Sequence, residues 1–365
     1  MTAGILLLNF GEPPTPERDV VVDYLTRIFY NNADLEQHAN REAALERSRE
    51  LAERRAPGLM EEYREIGGSP LNPQADEQAE ALAEELRERG RDVRTWVGMQ
   101  FMEPTVADAA ATAREADVDR LVGLPIYPLC GRSTTVAALE DLDRALDEMG
   151  WSPSRADLTG WHRHPDYVSY RAENVRRFCE SEGVDLSDPG TRLVLSAHGT
   201  PRKYLDEGNR YEEYVEEYVR ALAGTLDVDD PVLGYQNHGN RSEVAWTEPD
   251  VEDAVTSLDA ERVVVEPVSF VHEQSETLSE LDVELREEAE EAGLELHRVP
   301  VPHAEPRFIR LLADLVEPLL EADAPEEGAD TEGRRFLYGA CRCKPTDGTV
   351  CLNAVEQPAR EPATA

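Results

Sequence analysis

The chain has 365 residues, of which 40% are hydrophobic, enough to bury real cores. At roughly 100–200 residues per domain, that length suits two domains. Asp and Glu number 76 against 37 Lys and Arg, a net charge of -39. This excludes a duplex nucleic-acid binder and a polybasic membrane anchor, both of which need a basic face. Only Lys203 and Lys344 are lysines, the other basic residues being arginine. A dense acidic surface nearly free of lysine is expected of a protein adapted to high salt, where screening removes self-repulsion.

The first ten residues, Met1 to Phe10, are apolar but short, with no basic leader or small-residue cleavage site. They read as a buried first strand rather than a signal peptide, which predicts a cytoplasmic protein. No apolar run approaches the roughly 20 residues needed to cross a bilayer. Strands are predicted over 4–9, 93–99, 120–125, 191–197, 231–236 and 262–268. Acidic, Ala- and Glu-rich stretches such as 73–89 and 136–149 read as helices. Apolar strands alternating with helices predict an α/β fold with parallel sheets covered on both faces.

The chain repeats itself. Leu6-Leu7-Leu8-Asn9-Phe10-Gly11-Glu12-Pro13 is similar to Leu193-Val194-Leu195-Ser196-Ala197-His198-Gly199-Thr200-Pro201. Glu103-Pro104-Thr105-Val106 precedes one strand as Glu248-Pro249-Asp250-Val251 precedes another. Three ordered matches predict two similar halves, 1–160 and 161–325, followed by an extension, 326–365. Ligands of such sheets bind at the carboxyl ends of strands, so Phe10 and His198 should stand at opposite lips of a shared cleft.

Three stretches could carry chemistry. The loop Tyr127-Pro128-Leu129-Cys130-Gly131-Arg132-Ser133-Thr134-Thr135 follows a strand, and its hydroxyls either bind an anionic group or cap a helix. His198 ends an apolar strand before a glycine, where an imidazole either moves protons near neutral pH or caps a turn. Glu276, Glu280 and Glu284 are four apart, with His272 one step earlier. On a helix they form one column, either a transient divalent-cation site or a solvated acidic face. No dinucleotide fingerprint, Walker A motif or serine-nucleophile elbow is present, so no nucleotide is expected. Of the five cysteines, Cys179 reads as a buried inert thiol, whereas Cys341, Cys343 and Cys351 cluster in a polar tail where no core requires them.

These stretches together resemble ferrochelatase, which inserts ferrous iron into a porphyrin. The resemblance runs from Gly4 to about Leu315 and adds Tyr63-Arg64-Glu65-Ile66-Gly67-Gly68-Ser69-Pro70-Leu71 and Glu276-Thr277-Leu278 to the motifs above. It implies two Rossmann-like domains with a porphyrin cleft between them. It implies His198 and Glu276 as catalytic residues and metal ligands, with Glu280 and Glu284 as further metal ligands. Phe10, Arg27, Tyr127, Ser133, Thr134 and Trp246 are implied to bind the porphyrin. The chain departs from the family pattern with Gln274 in place of a histidine and Gln100-Phe101 in place of an Arg-Tyr pair. Tyr235-Gln236-Asn237-His238-Gly239-Asn240 and Trp246 look like the coproporphyrin branch; the Arg27 region and 63–71 look like the protoporphyrin branch.

The expected reaction places His198 on one face of the macrocycle as proton acceptor. The three glutamates on the other face hand over iron. The resemblance also implies a [2Fe–2S] cluster on Cys130, Cys341, Cys343 and Cys351, four thiolates being its usual set; zinc or unliganded thiols are the alternatives. Rival functions are a cobalt or nickel chelatase of the same fold and a non-catalytic porphyrin or haem carrier. Peripheral membrane contact and the oligomeric state are left open by the sequence.

Overall fold

Every residue of the first apolar run, Ala3–Asn9, is buried in a strand, β1. A computed structural model describes residues 2–236, 244–321 and 338–352. After β1 come α1 (Arg18–Asn31), α2 (Arg41–Glu65), α3 (Leu71–Glu88), β2 (Val93–Met99), α4 (Val106–Glu115), β3 (Arg120–Pro125), α5 (Ala137–Met149) and β4 (Ser154–Thr159). The second half supplies α6 (Pro165–Glu182), β5 (Thr191–His198), α7 (Arg202–Asp206), α8 (Tyr211–Leu226), β6 (Val232–Gln236) and α9 (Val251–Thr256). It ends with β7 (Arg262–Pro267), α10 (Ser275–Leu278), α11 (Leu285–Glu291), β8 (Glu295–Arg298) and α12 (Pro306–Val316), and the tail adds β9 (Gly339–Ala340) and β10 (Thr349–Cys351).

The strands form two sheets, ordered β2-β1-β3-β4-β10-β9 and β6-β5-β7-β8. Their first four strands follow one pattern, a central strand flanked by its two successors and then the fourth, and all those pairs are parallel. Local chemistry repeats too. Thr105 and Asp250 accept bonds from the first turns of α4 and α9, satisfying otherwise orphaned helical N–H groups. Each third strand leads into a helix through a π turn, Arg132–Val136 in one half and Glu280–Glu284 in the other. Such turns insert a residue into the helical ladder and recur at functional sites.

The fold class is the α/β arrangement expected. β4 and β8 are not apparent in the sequence because β4 opens on exposed Ser154 and β8 has only four residues, alternating in exposure. The tail corrects another expectation. It is polar in composition, yet Tyr338, Val350 and Leu352 join the main core and Cys341 and Cys351 are buried. β10 pairs parallel to β4, and β9 antiparallel to β10. α12 packs against both α3 and α6, tying the halves together.

Candidate active site

The carboxyl ends of β1, β3, β5 and β7 open on one cleft, enclosing about 1730 Å³ of space continuous with solvent. Phe10, Tyr127, Ser133, Thr134, His198, Trp246, Glu276 and Glu280 all line it. Gly11 makes the turn after β1 at φ +80°, and a Cβ there would sit 2.9 Å from that of Met99. Only glycine satisfies both constraints.

His198 is the last residue of β5 and is 34% exposed. Its backbone N–H donates to Ser269 Oγ at 2.9 Å, and its carbonyl accepts from Tyr211 at 3.0 Å. Nδ1 lies 2.7 Å from the Gly199 carbonyl. A carbonyl only accepts, so Nδ1 carries the proton and Nε2 is the basic nitrogen of the neutral ring. Nε2 stands 3.9 Å from Glu276 Oε1.

Glu276 enters from α10. Gln274 Nε2 donates to its carboxylate at 2.8 Å. Gln236, at the end of β6, is oriented by the Ser196 hydroxyl on its Oε1; its amide donates to the Glu276 carbonyl and to Glu280 Oε2 at 2.8 and 2.9 Å. Burial pushes the Glu276 carboxyl up. Burial, followed by the charge of Glu276, pushes Glu280 well up. Glu284 is exposed at the far end of the π turn, outside the cleft lining, and burial and then Glu62 raise its carboxyl against the pull of Arg55. Together they form an acidic series from exposed Glu284 inward to Glu276, each carboxyl raised above its ordinary value.

Several expectations change. The stretch 270–274 is not helical, so His272 does not head the glutamate column. It is 3% exposed, with Nδ1 3.4 Å from Asn9 Nδ2, and burial followed by His303 holds it down to about 3, hence neutral. His198 Nε2 and Glu276 Oε1 are 3.9 Å apart, less than the roughly 7 Å that a π system contacted at about 3.5 Å on each face would occupy. Arg27 is ion-paired with Asp23 at 2.8 Å on α1 and does not line the cleft. Ser133 donates to Asn32 at 2.8 Å, and Tyr127 to Gln100 Oε1 at 3.0 Å. Burial, then Glu276, raises Tyr127 well above the ordinary phenol range. Phe10 packs edge-on against Phe101 at 4.5 Å. Asn237, His238, Gly239 and Asn240, read as a porphyrin-branch signature, lie outside the described residues. Gln236 and Glu12 were missed as site residues, because only the folding of distant strand ends brings them to Glu276.

The five cysteines are all thiols. Cys130, in the loop after β3, lies beside Cys341 and Cys343, and Cys351 of β10 lies beside Cys341. The Cys341 thiol is held far down by hydrogen bonds from Cys130, Cys343 and Cys351. Its sulfur also accepts from the Thr159 hydroxyl at 3.0 Å and the Lys344 N–H at 3.3 Å. Tyr214 lies 3.6 Å from Cys343 Sγ. The group is a mutually hydrogen-bonded thiol set: among the described residues no three His, Cys, Asp or Glu side chains stand in open metal-ligand geometry. Cys179 is buried, and burial followed by Glu266 raises it to about 11, an inert thiol.

Among the described residues no helix is long and apolar enough to cross a membrane. The family profile described as Ferrochelatase matches residues 2–320. The ferrochelatase of Nostoc sp. is 37% identical over 325 residues, covering 86% of this chain and 81% of that protein. That of Picosynechococcus sp. is 37% identical over 336 residues, covering 87% and 83%. Among solved structures, SirB from Bacillus subtilis with Fe3+ superposes with a TM-score of 0.51 at 10% identity, covering 88% of this chain and 96% of that one, a likeness of fold.

Proposed function

The chain belongs to the ferrochelatase family and inserts ferrous iron into a porphyrin in haem biosynthesis; from that premise we propose that His198 and Glu276 act together on one side of the macrocycle. The observation that carries the reading is the 3.9 Å approach of His198 Nε2 to Glu276 Oε1 in the cleft. Iron entry replaces two pyrrole N–H bonds by iron–nitrogen bonds and releases two protons. His198 Nε2, made basic by the bond at Nδ1, takes one proton from the ring, and water in the solvent-continuous cleft carries off the other. Glu276 and Glu280 hold the incoming cation loosely through oxygen, so that the nitrogen macrocycle is the better final site. Glu284 receives it from solvent. Phe10, Tyr127, Ser133, Thr134 and Trp246 hold the macrocycle. Arg27, next in the chain to the cleft-lining Ile28 on α1, reaches a peripheral carboxylate by exchanging Asp23 for it.

Coproporphyrin III and protoporphyrin IX are the two candidate substrates. Anaerobic incubation in high salt with ferrous iron and each porphyrin, followed by loss of porphyrin fluorescence, tests the reading. Turnover of one and not the other assigns the branch; binding without insertion favours a carrier.

We propose a [2Fe–2S] cluster for the four cysteines; what supports the reading is that they come from a loop and a tail, three are buried, and Cys341 accepts two further hydrogen bonds of the kind that stabilise a thiolate. Cys130, Cys341, Cys343 and Cys351 would hold it, and when bound it supplies an electron-transfer centre that also cross-links tail to body. Visible absorbance with stoichiometric iron and sulfide is expected from anaerobically purified protein; zinc, or no metal, overturns it. The same proposal treats 1–160 and 161–325 as the two domains and 326–365 as an extension whose β10 completes the first sheet. It places the protein in the cytoplasm of a salt-adapted cell, as the acidic, lysine-poor composition suggests.

A further inference from the structure

Glu12 lies directly after the Gly11 turn and is 2% exposed, in a chain whose other acids are mostly solvated. Its backbone is clamped from both sides by Asn72, whose Oδ1 accepts from the Glu12 N–H at 3.0 Å and whose Nδ2 donates to the Glu12 carbonyl at 2.8 Å. The carboxylate collects donors from three separate places. Tyr63, near the end of α2, donates its hydroxyl at 3.0 Å. Ser69, in the turn before α3, donates to the other oxygen. Ser275, the first residue of α10, gives both its hydroxyl and its backbone N–H, the latter at 3.2 Å. All four lone-pair positions of a carboxylate are thereby filled.

Ser275 immediately precedes Glu276, and its Oγ lies 3.4 Å from Glu276 Oε2. The Ser275 hydroxyl has one proton, and the shorter contact is to Glu12. The carboxylate therefore fixes where α10 begins and which way its next side chain points. β1 belongs to the first sheet and α10 follows β7 of the second, so this junction spans the two halves. Ala or Leu at position 12 would leave three hydroxyls and an N–H without their acceptor, a severe loss at a buried site.

We propose that Glu12 is a positioning residue for the reaction: acting through Ser275, it sets the Glu276 carboxylate at the distance from His198 that metal delivery requires. The proposal deepens the functional reading above and rests on it. Binding of the macrocycle draws on Phe10, Tyr127 and Trp246, none of which is among the donors gathered by the Glu12 carboxylate, so the two substrates should respond differently to its loss.

The test compares wild type with Glu12→Ala, Glu12→Gln and Ser275→Ala, each checked for a native circular-dichroism spectrum. Porphyrin Kd is measured by fluorescence and the KM for ferrous iron by steady-state insertion. Glu12→Ala should raise the metal KM or lower kcat/KM for metal about tenfold, the effect of losing a set of charge-assisted bonds, with porphyrin Kd unchanged. Glu12→Gln, which retains an acceptor for Ser275, should recover to within about threefold of wild type. Ser275→Ala, which removes one side chain at a half-buried site and keeps the N–H bond, should show a loss of about threefold in the same metal parameter; it also stands in should Glu12→Ala not fold. Metal kinetics within twofold of wild type in Ser275→Ala and in any folded Glu12→Ala would overturn the proposal. So would parallel losses in metal KM and porphyrin Kd, which mark a merely structural role. Inert wild-type protein would instead sink the functional reading itself, and the proposal with it.

Discussion

Replacing Arg171 by Met probes the electrostatics behind the strand ends that carry the site. Arg171 and Glu266 are 1% and 0% exposed and share a buried ion pair, with Nε 2.7 Å from the carboxylate. The same guanidinium donates to the carbonyls of Pro267 and Phe270, each at 2.8 Å, and so holds the segment bearing Ser269, which accepts from His198. Burial pushes Glu266 up to about 7 even against the pull of Arg171, from an ordinary 4.5. Without the cation its folded form stays protonated at neutral pH. Holding a proton that the unfolded chain releases above its ordinary value costs about 1.4 kcal/mol per pH unit, a cost that wild type and variant share up to about pH 7. Two orphaned carbonyls add about 2 kcal/mol, independent of pH. Because the folded pKa lies above the unfolded one, the stabilising form is fully present below the unfolded value and is lost as pH rises. The assay is urea unfolding by circular dichroism in high salt, wild type minus variant. Up to about pH 7 wild type and variant both hold the proton, so the deficit should stay near the pH-independent loss of the two carbonyl partners; above about pH 7 the wild-type carboxyl ionises beside Arg171 while the variant's does not, and the deficit should grow by about 1.4 kcal/mol per pH unit. A deficit no larger at about pH 8.5 than at about pH 7 would refute the assignment of a neutral Glu266 to the variant.

Three further outcomes follow from the geometry. His198→Ala should lower insertion about 10²–10⁴-fold, the range for losing a general base, while leaving porphyrin binding, read by fluorescence, intact. Gly234→Ala should destabilise the second half by about 2–3 kcal/mol in thermal unfolding, because the new Cβ meets the Val251 backbone at 2.6 Å. Ending the chain after Glu321 removes β9 and β10 from the first sheet. Native-state maleimide labelling of Cys130, buried in the intact protein, should go from slow to complete.

Six strands were readable from their apolar runs: β2 and β3 have the predicted bounds, and β1, β5, β6 and β7 differ by a residue at one end. Short edge strands such as β8 carry little apolar signal, and β10 is recognisable only once β4 offers it a partner. His198 was legible because a strand end before glycine is a ligand edge in this kind of sheet. The glutamate spacing was legible too, but not the break in the helix: the π turn at Glu280–Glu284 leaves no mark in residue periodicity. Glu12, Gln236 and Ser275 were opaque for a different reason. In a chain with 76 acidic residues, one more glutamate has no special character until its solvent is removed.

The pairing of β10 with β4 also sets a timetable. Thr349 lies beside Asp157 across 192 positions of chain, and Cys351 shares the same strand. At about 5–20 residues per second, a ribosome needs roughly 10–40 s to make that stretch. The whole second half is synthesised while the edge of β4 is still bare, and Cys130 waits as long for the sulfurs of the tail. A nascent chain released early therefore carries an open sheet edge and an unshielded thiol, two chemical labels by which unfinished protein differs from finished.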